Sequence, residues 1–133
     1  MRAEMVIKTL LLGDAGVMAL VGGRVSPSRM PQNTPMPAIV YEFISGTELS
    51  PIDAQAGFQI MRSRVQVTAM GKNYADVKNV IEAVRMSCLY KSGVIAGVKV
   101  LAITRDLMGP DLRDDDLTLY IQSIDFLVTH YEQ

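Results

Sequence analysis

The segment from Arg62 to Cys88 contains two hydrophobic patterns of different period. Val65, Val67 and Ala69 alternate with polar residues, which is typical of a strand with one buried face. After a turn at Gly71-Lys72, the apolar residues recur at helical spacing. They are Val77, Val80, Ile81, Val84 and Cys88. The sequence therefore predicts a strand and then a helix over about 74–91, packed together through their apolar faces.

The predicted start of this helix carries two polar residues suited to it. The Asn73 side chain can accept a hydrogen bond from the first free backbone amides. Asp76, three residues later, suits a capping box and the positive end of the helix dipole. We therefore expect Asn73 to cap the helix.

The N-terminal region predicts two further helices. Residues 2–12 have a broad apolar side, and Gly13 is a natural stop. Asp14 is suited to cap a second short helix that ends near Leu20 and is closed by Gly22-Gly23. Both helices would pack on the same sheet as the central helix.

Residues 24–37 form a proline-rich segment. Four prolines within eleven residues remove backbone donors and fix φ, so this segment is predicted to be an extended arm, neither helix nor inner strand. Met30 and Met36 lie within it. Their adaptable side chains suit either a neighbouring subunit or the domain's own core.

Three other segments predict strands. Residues 38–45 carry bulky residues on both faces, which favours a central strand or one covered on both sides. Residues 98–104 form the next strand, and residues 117–131 the last. The last strand is apolar on both faces, which indicates cover on both sides, a bulge near Ser123, or pairing with another subunit. It would reach roughly 45 to 50 Å, longer than a small domain needs, which favours assembly.

The predicted fold is one α+β domain over residues 1–133. It contains a four-stranded, mainly antiparallel sheet with the long helix and the N-terminal helices packed on it. Two long loops are expected, at 46–60 and 105–117. The first would be the oversized tip of a hairpin.

Composition narrows the class of protein. A net charge of −1 provides no general attraction for nucleic acid or anionic lipid. No apolar run reaches the roughly 18 residues that span a bilayer. Glu4 and Lys8 interrupt the apolar N-terminal segment, which argues against a secretory leader and for synthesis in the cytosol. The single cysteine, Cys88, lies on the apolar helix stripe and is predicted to be a buried thiol.

Candidate chemistry is sparse. His130 is the single histidine and is expected to be a packing or surface residue, not a general base. The aspartates at 111, 114, 115 and 116 lack the alternating spacing of a calcium loop. Gly13-Asp-Ala-Gly16 lacks the lysine of a phosphate loop. No catalytic residue, metal site or cofactor is predicted, and the protein is not expected to be an enzyme.

Several short sequence motifs occur in an order that resembles that of the tail completion (tail terminator) family of long-tailed, siphovirus-like bacteriophages. These motifs follow an early predicted helix. They are Ala19-Leu-Val-Gly-Gly-Arg-Val25, Met30-Pro-Gln32, Pro37-Ala-Ile-Val-Tyr41 with Ile44-Ser45, Arg64-Val-Gln-Val67, Asn73-Tyr-Ala-Asp-Val77 and Leu119-Tyr-Ile-Gln-Ser-Ile-Asp-Phe126. The likeness covers nearly the whole chain. The loops at 46–60 and 113–116 match no known pattern.

The resemblance implies a structural virion protein at the junction of tail and neck. Such proteins form a ring, generally a hexamer, that caps the finished tail tube and joins it to the head. The implied partners are copies of the chain, the tube protein and a head completion or connector protein. DNA would pass through the lumen without specific binding, no membrane would be involved, and assembly would take place in the host cytoplasm.

Two hypotheses about residues follow. The subunit interface is expected to involve the final strand, the arm and the exterior of the long helix. Its candidate residues are Met30, Met36, Met86, Tyr120, Phe126 and Val128. The aspartates 111, 114, 115 and 116 are candidates for the lumen, where they would repel DNA phosphates, although a merely solvated loop is the alternative.

Two other classes of function stay open. The first is another neck or connector component, such as a head completion (stopper) protein or a tube protein. The second is a small α+β enzyme or ligand-binding domain, which would need convergent polar groups with perturbed ionisation.

Overall fold

The computed structural model describes residues 3–49 and 59–131, which form three helices and seven strands. The helices are α1 (Ala3–Leu12), α2 (Ala15–Val21) and α3 (Tyr74–Cys88). The strands are β1 (Val25–Pro27), β2 (Ala38–Glu48), β3 (Ile60–Gly71), β4 (Gly93–Ile95), β5 (Val98–Met108), β6 (Leu112–Asp114) and β7 (Leu119–Tyr131).

All seven strands belong to one sheet, in the order β1-β2-β3-β7-β5-β4, with β6 also paired to β7. Every pairing is antiparallel except that of β1 with β2. The predicted α+β class is confirmed, but the prediction of four strands is wrong. The four predicted strands are β2, β3, β5 and β7, and three strands of three residues each join them. A three-residue strand is too short to show a hydrophobic period.

The core lies between the helices and one face of the sheet. The alternation predicted for β3 is confirmed, since Val65, Val67 and Ala69 are fully buried while the residues between them are half-buried. The five apolar residues of the α3 stripe are buried as well. α1 and α2 add their own apolar sides to the same core cluster. This helix-covered side of the sheet is called the core face below, and the other side the open face.

The helix ends test the predicted caps. Asp14 accepts a hydrogen bond from the Val17 amide at 3.0 Å, and Gly22 adopts a left-handed φ of 58° after α2. Both predictions are confirmed. Asn73 makes no cap hydrogen bond with its side chain. Its Nδ2 instead donates to Asp76 Oδ2 at 3.1 Å. Asn73 therefore occupies the N-cap position, as predicted, but the predicted hydrogen bond from its side chain to the backbone amides is wrong.

The last strand, β7, is central and not an outer element. It pairs with β3 along one side and with β5 and β6 along the other. Its register with β3 is continuous through Ser123, and the irregularities lie in β5 instead, at Val100/Ala102 and Arg105/Leu107. The length of β7 is therefore used within the chain. Of the three alternatives given for this strand, the bulge near Ser123 is absent from its pairing with β3.

The predicted loops are shorter than expected. β5 continues to Met108 and β6 occupies 112–114, so the loop predicted at 105–117 is mostly strand. β2 continues to Glu48 and β3 begins at Ile60, while residues 50–58 lie outside the described part of the chain. β2 is buried only over its first four residues and exposed from Glu42 to Glu48. The expectation that both of its faces are covered holds only for the first part of the strand.

Candidate interaction surfaces

The proline-rich arm is held against its own domain. Arg24 Nε donates to the Pro37 carbonyl at 3.0 Å, and Thr34 Oγ1 donates to the Pro31 carbonyl at 2.6 Å. Between the arm and the adjacent ends of β3 and β7 lies a groove of about 750 Å³. Its lining residues are Arg29, Met30, Pro31, Gln32, Asn33, Thr34, Met36, Met70, Lys72, Leu117 and Leu119. We call it the arm groove. Met30 and Met36 are half-buried in its wall.

The turn between β6 and β7 carries three of the four acidic candidates. Asp114 Oδ1 accepts from the Leu117 amide at 3.1 Å, and Arg113 Nε donates to Asp115 Oδ1 at 2.8 Å. Asp115 and Asp116 are exposed. We call residues 114–116 the acidic turn. Because Leu117 follows this turn and also lines the arm groove, the two surfaces meet at one end of the sheet.

Asp111 is not part of the acidic turn, because it forms an ion pair with Lys78 on α3. It accepts hydrogen bonds from Lys78 and from the Tyr74 hydroxyl, and its hydrogen bond from Lys78 lowers the pKa of the carboxyl. Lys78 Nζ also reaches Gln122 Oε1 at 3.0 Å. Gln122 in turn donates to the Gly109 carbonyl at 3.1 Å. Asp111 therefore fastens the β5–β6 connection to α3 and β7, a role that sequence analysis missed, because Lys78 lies more than thirty residues away.

The open face of the sheet is polar at its centre. Arg64 on β3 forms ion pairs with Asp106 on β5 and with Asp125 on β7, the second at 3.2 Å. The hydrogen bond that Arg64 donates to Asp106 is the main reason why the pKa of Arg64 is raised. Thr68 Oγ1 lies 3.0 Å from Ser123 Oγ on the same face. These contacts join β3 to β5 and β7 across the open face.

The six candidate interface residues are not brought together. Phe126 and Val128 are fully buried in the core and are not available to a neighbouring subunit, so the structure contradicts their assignment. Their parity along β7 places them on the core face. Tyr120 is half-buried and packs edge-on against Tyr74, with centroids 5.9 Å apart. Met86 is 65% exposed on α3, and the other two methionines lie in the arm groove.

The histidine and the cysteine have structural surroundings. His130 is buried, and its Nε2 lies 2.9 Å from Ser63 Oγ, which agrees with the predicted packing role. Cys88 is fully buried, as predicted, and burial raises the pKa of its thiol to about 12. Across residues 3–49 and 59–131, no three His, Cys, Asp or Glu side chains are grouped to hold a metal ion. None of the helices in this part of the chain is long and apolar enough to cross a membrane.

A family model described as "Tail completion protein gp17" matches residues 5–130. The chain belongs to the tail completion protein family. Membership confirms the resemblance found in the sequence and assigns the chain a structural role in the tail of a phage-like virion. The match includes the arm, the acidic turn and every strand of the sheet, so both surfaces at the arm end belong to the family's domain.

A similar solved structure shares the fold. A chain in the virion of a native gene transfer agent (GTA) particle is 14% identical, with a TM-score of 0.69 over 95% of this chain and 92% of that one. At this identity the likeness concerns the fold alone. A crystal structure from Akkermansia muciniphila, also 14% identical, covers 69% of this chain and 42% of that one, with a TM-score of only 0.31. Comparison with curated proteins gave no match.

Proposed function

We propose that this protein caps the tail tube as a homo-oligomeric ring, stops tube polymerisation and provides the surface that joins tail to head. The observation that carries the proposal is the tail completion match over residues 5–130, which includes all seven strands and the arm. A ring needs one repeated heterologous contact, so each subunit must present two different complementary faces. A hexamer is the stoichiometry that the resemblance suggests.

The arm end of the sheet is the surface that we assign to a neighbouring virion protein. It combines the half-buried methionines of the arm groove with charges at Arg29, Lys72 and the acidic turn. Methionine side chains adapt to a partner's shape, and the flanking charges select its orientation. In this proposal the partners are the tube protein and a head completion protein. The ring would sit at the tail–neck junction after assembly in the host cytoplasm.

Deletion of the gene tests the function through particle shape. If the protein terminates the tube, electron microscopy of the deletion particles should show tails of excessive and variable length. Tailless heads that are sealed and filled with DNA would instead indicate a head completion protein. Absence of any tube would indicate a tube component.

A second measurement uses purified protein added to preformed tubes. We expect it to bind at tube ends and to block their further growth. Met30→Asp with Met36→Asp should abolish this binding, because two charges would be placed in the arm groove. Met86→Asp is the matched control, since Met86 is exposed on α3 and outside the groove. If the wild-type protein, the double variant and Met86→Asp bind equally well, the arm end is not part of the docking surface.

A further inference from the structure

Among the described residues, no strand covers the outer edge of β2 over more than half of its length. β1 pairs with β2 only at residues 39–41. From Glu42 to Glu48, β2 has β3 on one side, and no described strand pairs with its other side. All seven of these residues are exposed, and Phe43 and Ile44 add apolar surface. Such an edge presents unpaired backbone donors and acceptors to any strand that approaches.

A second edge without a full partner strand lies on β5, towards the other end of the strand order. β4 pairs with β5 only at residues 98–100, and β6 pairs with β7 instead. From Leu101 to Met108, no strand among residues 3–49 and 59–131 pairs with the outer side of β5. The Tyr90 amide donates to the Ile103 carbonyl at 2.9 Å, so the free part of this edge begins at Thr104. Leu101 and Leu107 are exposed there. Neither open segment contains a proline or a lysine, but each contains a β-bulge and charged residues, which also restrict pairing at an edge.

The two edges differ in charge. The β2 segment carries Glu42 and Glu48 and no basic residue. On the β5 segment, the Asp106 carboxylate is engaged by Arg64. The other charge is the exposed Arg105, which also attracts Glu82 on α3 of its own chain. Opposite charges on two edges favour pairing of one edge with the other, and disfavour pairing of β2 with β2 between copies.

Strand direction also fits pairing between copies. β2, β3, β7 and β5 alternate in direction, so β2 and β5 of one chain run in opposite directions. A copy placed alongside with its strands in the same orientation therefore brings its β2 antiparallel to the first copy's β5. The alternation of the sheet would continue unbroken across the junction. Repetition of this single contact closes a ring if the rotation per subunit allows it.

The faces of the sheet restrict the register. Thr47 pairs with Arg62, and Thr104 with Leu127, which places both threonines on the open face. Glu48 and Arg105 are both on the core side of the sheet, because they align with His130 and Phe126 of β7. Directly opposed residues must share a face. Thr47 opposite Thr104 satisfies this condition and makes Glu48 a diagonal neighbour of Arg105.

We propose that residues 45–47 of one copy pair antiparallel with residues 104–106 of the next copy, with Thr47 opposite Thr104. This inference rests on the proposed ring and adds the contact that builds it. Irregularities at Phe43/Ser45 and Arg105/Leu107, together with Tyr90 beside Ile103, limit the regular pairing to about three residues in each strand. The proposed contact replaces the earlier assignment of Phe126 and Val128 to the interface.

Disulfide formation between introduced cysteines tests this register. The native Cys88 is buried with a raised pKa, so it provides an unreactive background. We expect the variant Thr47→Cys with Thr104→Cys, oxidised in the presence of tail tubes, to give a ladder of linked copies up to the full ring. Each single variant should stay unlinked, and an equal mixture of the two should give linked pairs. Asn79→Cys with Thr104→Cys, which joins exposed α3 to the β5 edge, is the matched control and should stay unlinked.

Charge reversal provides a second variant that does not depend on disulfide geometry. Glu48→Arg alone and Arg105→Glu alone should each weaken ring formation at least tenfold, and the two together in one chain should restore it. Light scattering and native mass spectrometry report the ring. Disulfide linkage of Thr47→Cys alone would overturn the proposed contact. So would a complete ring in which the double-cysteine variant forms no disulfide and the charge-reversal variants have no effect. Neither outcome would affect the proposed capping function. Normal tail length after gene deletion would overturn the function itself.

Discussion

Phe126 shows how much depends on which face of a strand is covered. β7 is apolar on both faces in sequence, but Phe126 is fully buried while Met86, a second interface candidate, is 65% exposed. We expect Phe126→Ala to lower the free energy of unfolding by about 3–5 kcal/mol, because it leaves a cavity in the core. Met86→Ala should change it by no more than about 0.5 kcal/mol. Urea denaturation followed by circular dichroism measures both.

This comparison separates a core residue from an interface residue. If Phe126 acted mainly between subunits, Phe126→Ala would reduce the oligomeric mass and leave the monomer's unfolding midpoint near the wild-type value. The sequence could not make this distinction. A period of two shows that a strand has two different faces, but the helices that cover one of them come from distant parts of the chain.

Among the secondary-structure elements, only one of the two predicted caps, Asp14, makes its side-chain hydrogen bond. Asp14 and Asn73 therefore provide a matched pair of mutations. Asp14→Ala removes an observed hydrogen bond to the Val17 amide and should cost about 1 kcal/mol of stability. Asn73→Ala removes no cap hydrogen bond and should cost clearly less. Thermal unfolding of the two variants measures the difference. Asp14→Asn should recover most of the loss, since the amide oxygen can still accept from Val17.

Equal losses for Asp14→Ala and Asn73→Ala would contradict this distinction.

The outcome of the predictions also shows which signals are local. Glycine stops, the Asp14 cap, the β3 alternation and the α3 stripe depend on neighbours in sequence, and all of them were predictable. β1, β4 and β6 were not, because each has only three residues and exists through pairing with a strand elsewhere in the chain.

At the scale of the whole molecule, the sequence supported the family and the α+β class but not the assembly surfaces. The arm groove forms only when residues 29–36 meet the ends of β3 and β7. The open edges of β2 and β5 appear only once the order of strands is known. The four aspartates were treated as one feature, whereas the structure divides them into an ion-paired Asp111 and an acidic turn. Tertiary contacts decide each of these features.

The acidic turn leads to the last prediction, which concerns DNA passage. If the turn faces the ring lumen, its carboxylates repel DNA phosphates and keep the duplex from adhering to the wall. Changing Asp114, Asp115 and Asp116 to Asn removes three negative charges from an exposed hairpin turn and should leave ring and tail assembly intact. We expect particles of normal appearance that deliver DNA at least tenfold less efficiently, measured as infectivity or gene transfer per particle counted by electron microscopy. Asp111→Asn is the control, because its charge is already engaged by Lys78, and it should leave delivery unchanged. Defective assembly with normal delivery from the tails that do form would place the turn in a contact between proteins, and unchanged delivery would leave it a solvated loop.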